Sequence, residues 1–216
     1  MFIEDGQIIK IDALTNFLDI REAFVFGDDV VGKICLQFRV YDKNRPKGQK
    51  ITQQVDFFMD SEEASYFAEI MKTGRICSLC RNAKAENKYA PGYHKYGGTA
   101  SRKISKQLKI ESTDDGKLFI KALEGPGTIS KTGAIAPAYK DNDASQKVAI
   151  KLTQEQAMKI GLQIERAIAY FDHWNADGIV KEKTERFRRF KADEESSFEQ
   201  RAEKADDSST ETGSRF

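Results

Sequence analysis

Residues 88–103, KYAPGYHKYGGTASRK, hold the densest set of side chains able to do chemistry. Tyr89, Tyr93 and Tyr96 alternate with Lys88, Lys95, Arg102 and Lys103. Cations track a phosphate backbone and aromatic rings stack on unpaired bases, so this mixture fits single-stranded nucleic acid. Gly97 and Gly98 let backbone come close to a phosphate. The same tyrosines could instead pin a loop to the core. Charge along the chain favours the first reading. Residues 72–110 carry ten Lys/Arg and one acid, whereas residues 1–71 carry eight against thirteen and residues 191–216 four against eight. A formal net charge of +1 conceals a basic middle suited to a polyanion.

Other chemistry has fewer residues behind it. Cys77-x-x-Cys80 followed by His94 offers zinc-ligand types, but a closed site needs four ligands. Cys35 falls on an expected strand and His173 at a helix end, and no second CxxC follows. The cysteines read more simply as small apolar residues beside a helix end. No nucleophile elbow, Walker or zinc-protease sequence occurs, and the basic block lacks the clustered acids of a metal-dependent nuclease. The expectation is therefore a non-enzyme without a cofactor. Three cysteines, an odd number, and an acidic N-terminus without a long apolar run predict reduced thiols in the cytoplasm. No apolar run is long enough to span a bilayer.

Which elements must hold these residues in place is written twice. QQVDFFMDSEEASYFAEIM at 53–71 is echoed by QKVAIKLTQEQAMKIGLQI at 146–164, at an offset of 93. Val55, Phe57 and Met59 alternate inward in one strand, and Val148, Ile150 and Leu152 in the other. Asp60 with Glu63 and Thr153 with Gln156 fit capping boxes. Ala64, Phe67, Ala68 and Met71 then form a helical stripe, as do Ala157, Ile160, Ile164, Ala167, Ile168 and Phe171. Upstream, GKICLQ at 32–37 matches GKLFIK at 116–121 at an offset of 84, each after an aspartate pair, Asp28-Asp29 and Asp114-Asp115. Two amphipathic helices resemble each other by chance, but matching strand, cap and Gly-Lys strand in one order point to duplication.

The predicted fold is α+β: duplicated antiparallel sheet-plus-helix units within residues 1–176. The halves span about 20–74 and 100–176, joined by an exposed basic loop at 75–102. Residues 177–190 read as a basic helical extension and 191–216 as an acidic, disordered tail. The strand faces turned away from the core carry Lys33, Cys35, Gln37, Arg39 and Tyr41, then Lys103, Ser105, Gln107 and Lys109, then Lys117, Phe119 and Lys121. These outer faces are the expected nucleic-acid surface. The helix at 153–174 runs apolar to Phe171 and Trp174, which predicts a homo-oligomer through helices. The alternative is that Leu14, Phe17 and Leu18 cover it.

The order of elements resembles the Whirly family and the related positive-cofactor-four-like coactivators. The Whirly Lys-Gly-Lys-Ala-Ala-Leu strand motif is similar to residues 31–36, where Gly32, Lys33 and Leu36 match and Val31, Ile34 and Cys35 differ. The resemblance covers roughly residues 20–174 and implies binding of single-stranded DNA, with a use in replication or recombination expected; the compact chain and its tail suggest a phage or mobile element. RNA is the alternative ligand, and a zinc-containing scaffold a third reading. The tail ending in Phe216 resembles those of single-strand-binding proteins whose terminal aromatic docks on replication enzymes. Here Arg215 precedes the ring, and a solubilising tail is the plainer expectation.

Overall fold

A computed structural model describes residues 6–26, 29–87, 90–113, 115–131 and 133–176, without the side chains of 25, 26, 29–31 and 174–176. The chain divides into two compact units, Met1–Phe24 with Val31–Phe171, and Val25–Val30 with Asp172–Phe216. Of the second unit, only the adjoining ends of two strands and the end of the last helix are described. Everything below concerns the first.

Among the described residues the architecture is α+β with two antiparallel sheets and three helices. The first sheet is a meander of β1 (Gln7–Asp12), β2 (Asn16–Phe26), β3 (Asp29–Tyr41) and β4 (Ile51–Asp60). It runs directly into α1 (Ser61–Lys72), and α2 (Arg75–Glu86) follows. The second sheet holds β5 (Tyr93–Thr99), β6 (Ile104–Ser112), β7 (Leu118–Ile129), the short β8 (Ile135–Pro137) and β9 (Gln146–Leu152). β9 pairs with the first half of β7 and β8 with its end. α3 (Gln154–Ala176) follows β9 directly.

The two central ladders share one register. Ile34, Leu36 and Phe38 lie opposite Met59, Phe57 and Val55. Leu118, Ile120 and Ala122 lie opposite Leu152, Ile150 and Val148, the positions reached by the offsets of 84 and 93. All twelve side chains are buried, as the alternation predicts. A left-handed glycine precedes the aligned lysine in each case, Gly32 within β3 at φ +55° and Gly116 ahead of β7 at φ +74°, a conformation that only glycine adopts at little cost. β4 lies against β9. Lys106 donates to the carbonyl of Asp56, and Asn16 donates to the carbonyl of Ala149, which stands 93 residues after Asp56.

Several expectations are corrected. Residues 75–102 are not a joining loop: they hold α2, β5 and a short 3-10 turn at Ala100–Arg102. Ile76 and Cys80, four apart, bury one stripe of α2, which packs on β5 and β6. The second sheet therefore starts at Tyr93 rather than near residue 100. The Thr153 and Gln156 box forms reciprocally, at 2.9 and 3.1 Å. The Asp60 and Glu63 box does not form, because both carboxylates are taken by lysines. Phe171 is buried and stacks on Phe24 of β2 with centroids 4.3 Å apart, whereas the Trp174 side chain lies outside the described residues. The extension at 177–190 and the tail at 191–216 lie outside the described residues.

Candidate nucleic-acid interface

Where β4 meets α1, and β5 runs past them, the surface opens into a cleft of about 540 Å³. Its aromatic walls are Phe58, Tyr66 and Tyr96, which are 48%, 48% and 52% exposed. Phe58 follows from the parity of β4, since Val55, Phe57 and Met59 take the core side. Tyr66 stands off the buried stripe of α1. Tyr96 follows from the parity of β5, where Tyr93 takes the core side and Tyr96 does not. Three half-bare rings around one opening are unusual for a surface that only faces water.

The floor is shaped by glycine. A Cβ on Gly97 would sit 3.3 Å from the Phe57 ring, and one on Gly98, at φ +138°, would sit 2.2 Å from the carbonyl oxygen of Ile104. Any side chain at Gly98 would displace the β5–β6 backbone.

Lys33, Lys95 and Lys106 supply positive charge, and Asp60, Glu62 and Glu63 supply negative. Lys33 Nζ lies 2.7 Å from Asp60, its ladder partner. Glu63 accepts hydrogen bonds from the Tyr93 hydroxyl at 2.5 Å and from Lys95. Burial pushes the Glu63 carboxyl up, but the bonds from Lys95 and Tyr93 outweigh it and hold the group below the usual range. Tyr93 moves the other way, raised first by burial and then by the Glu63 carboxylate. The cleft is thus aromatic and mixed in charge, not uniformly basic.

The structure distributes the sequence-derived site residues unevenly. Lys33, Lys95 and Tyr96 meet in the cleft. Tyr93 does not: it is buried, edge-on to Phe67, and pins β5 to α1. Arg39 is buried with Nη1 2.5 Å from Asp56, and Gln37 beside it is partly buried. Tyr41 carries Lys50 over its ring. Arg102 and Lys103 are exposed in and after the 3-10 turn. Lys117 lies 3.5 Å from Asp115. Lys121 pairs with Glu111 at 2.5 Å and covers Phe119, 5.5 Å from its centroid. Tyr89 and Phe216 lie outside the described residues.

The outer face of the second sheet is not open as expected. The connection after β8 lies across it. The Tyr139 ring packs where Gly125 has no side chain, and its hydroxyl donates to the carbonyl of Ser105 at 3.2 Å. Asp141 pairs with Lys109 at 2.5 Å. Ser105 and Gln107 are buried beneath. Small residues on β7 make room for this cover, and the alternation of β6 alone could not reveal it.

The zinc set is dispersed into other bonds. The Cys80 thiol donates to the carbonyl of Ile110, and burial pushes it up to about 11. His94 Nε2 lies 3.1 Å from Gln107 Oε1. Cys77 is partly exposed on α2. Among the described residues, no three His, Cys, Asp or Glu side chains gather to hold a metal, and no helix is long and apolar enough to cross a membrane.

Phe58 and Tyr66 were missed, although strand parity and the helical stripe both point them outward. The β3–β4 connection, with Lys43, Arg45 and Lys47 exposed, was missed as well, because net acidity across residues 1–71 hides it. No family model matches the chain, and no curated protein matches it.

Proposed function

We propose that this chain binds single-stranded DNA and is not an enzyme, with the cleft between β4, α1 and β5 as a base-stacking site. One observation carries the reading: Phe58, Tyr66 and Tyr96 present half-exposed rings around one opening, beside Lys33 and Lys95. Every base has a π-face, so such rings hold an unpaired strand with little regard to sequence, each worth roughly 1–3 kcal/mol. A duplex keeps its bases stacked inside and offers these rings nothing. The sheet faces contribute less than their sequence suggested, because Arg39, Lys109 and Lys121 are spent on carboxylates.

The same proposal includes a duplicated, Whirly-like ancestry. The shared ladder register, the paired left-handed glycines and the Asp56 and Ala149 contacts at an offset of 93 support it. The test is fluorescence anisotropy with a labelled oligothymidylate, competed by duplex DNA and by single-stranded RNA. Preference for single strands, with log affinity falling against log salt, is expected. Equal affinity for the duplex would refute the stacking cleft, and preference for RNA would reassign the ligand.

A further inference from the structure

Three positions that wall the cleft have counterparts in the second half, and their chemistry is different. The offsets that align the two ladders carry Lys33 to Lys117, Phe58 to Lys151 and Tyr66 to Lys159. They also carry Asp60, Glu62 and Glu63 to Thr153, Glu155 and Gln156. Two exposed rings have become two exposed lysines, and three acids have become one. The backbone frame is kept: a left-handed glycine before the lysine, the same strand register, and a helix starting directly after the strand. Lys117, Lys151 and Lys159 thus hold the positions that Lys33, Phe58 and Tyr66 hold in the first half, and Lys151 and Lys159 are exposed.

One carboxylate stands between two of these lysines. Asp115 Oδ2 lies 2.8 Å from Lys151 Nζ and 3.5 Å from Lys117 Nζ, while Oδ1 accepts from the Thr113 hydroxyl at 2.5 Å. Bonds from Lys151 and Thr113 hold this carboxyl far below its usual range. Two cations and a hydroxyl converging on oxygen atoms are the donor set that a phosphodiester uses.

Resting on the stacking cleft as the base-binding site, we infer that Lys117, Lys151 and Lys159 form a second subsite that takes the phosphodiester backbone of the same single strand. One half of the repeat reads base faces and the other holds charge. A strand spanning both would be gripped at its bases by the first half and at its phosphates by the second. The Asp115 carboxylate then acts as a built-in competitor that phosphate must displace, which limits the charge gained.

Two labelled probes of equal length separate the subsites: an oligothymidylate and an abasic deoxyribose-phosphate oligomer. The full-length chain should bind both, the first more tightly. Lys117→Gln, Lys151→Gln and Lys159→Gln together should weaken binding of both probes by one common factor. They should also reduce the salt slope, by at most about 0.7 per lysine. Asp115→Asn should raise affinity for both probes, a gain that structural damage does not produce. Phe58→Leu with Tyr66→Leu should weaken the oligothymidylate alone. A lysine variant with unchanged slope and affinity overturns the second subsite and leaves the stacking cleft standing. So does an Asp115→Asn chain that binds no better. A wild-type chain that binds neither probe removes both readings.

Discussion

Lys72 Nζ bonds Glu165 Oε1 at 2.5 Å, and the two residues stand 93 apart, the offset that aligns one half of the chain with the other. Equivalent positions of α1 and α3 therefore touch. The same holds one turn earlier: a Cβ on Gly161 would lie 2.4 Å from the carbonyl oxygen of Ala68 and 2.5 Å from the Lys72 nitrogen. The helices cross at positions related by this offset, and Gly161 is what lets them approach.

Gly161→Ala should therefore destabilise the fold. Alanine favours a helix over glycine by up to about 1 kcal/mol, but here the obstructing atoms are backbone and cannot swing aside. Overpacking of this kind costs roughly 1–3 kcal/mol. Urea denaturation should show a lower midpoint with an unchanged slope. Glu165→Gln at the same crossing should move the midpoint little, because that ion pair is solvent-exposed and screened. A Gly161→Ala chain more stable than wild type would remove the close crossing.

Strand alternation puts Arg39 on the expected binding face, and the fold buries it. Its guanidinium is largely buried against Asp56. Arg39→Ala should cost about 2 kcal/mol, between the values for exposed and fully buried pairs. Affinity for oligothymidylate should stay unchanged while the chain is folded. Loss of affinity at unchanged stability would return Arg39 to the interface.

Much of the fold was legible because strand alternation and helical stripes report burial directly. Ile34, Leu36, Phe38, Val148, Ile150 and Leu152 were placed correctly on the core side. The site was less legible. Alternation says which side chains share a face, but not what covers the other face. Cys35, Ser105 and Gln107 looked outward and are buried, with the Tyr139 connection lying over Ser105. Charge counts failed for a related reason: Lys109 and Lys121 meet Asp141 and Glu111, partners that only folding brings within reach. The α2 stripe was hidden by its flanking cations, with just Ile76 and Cys80 buried in twelve residues.

Acid should loosen the second sheet through His94. Burial, reinforced by nearby Lys109, holds its imidazole below the ordinary value despite the Gln107 bond. The unfolded chain then takes up the proton first as pH falls through about 6.5. In that window the unfolded state binds more protons, so stability declines with falling pH and levels off below the folded value. Thermal melts at a series of pH values from 7.5 to 5 should show this decline, and His94→Gln should flatten it. Identical pH profiles for the two proteins would mean that His94 is not held neutral by the fold.

Tyr93 and Tyr96 lie three residues apart on β5 and should behave as opposites. Tyr93 is buried between Phe67 and Glu63, so its phenol is part of the core. Tyr93→Phe removes one hydrogen bond to a charged carboxylate, worth roughly 1.5–3 kcal/mol of stability. Tyr93→Ala removes a ring as well and should cost roughly 3–5 kcal/mol. Neither change reaches the ligand while the chain stays folded, except that Glu63 keeps only Lys95 as a partner. Tyr96 is half exposed, tilted against His94 at 4.3 Å, and lines the cleft with Phe58 and Tyr66. Tyr96→Ala should leave the melting temperature nearly unchanged and weaken oligothymidylate binding by roughly 1–3 kcal/mol. The abasic oligomer should not register the change, since no base remains to stack. If Tyr96→Ala spares binding while Tyr93→Phe abolishes it at full stability, the stacking surface lies on the other side of β5 and the cleft is misassigned.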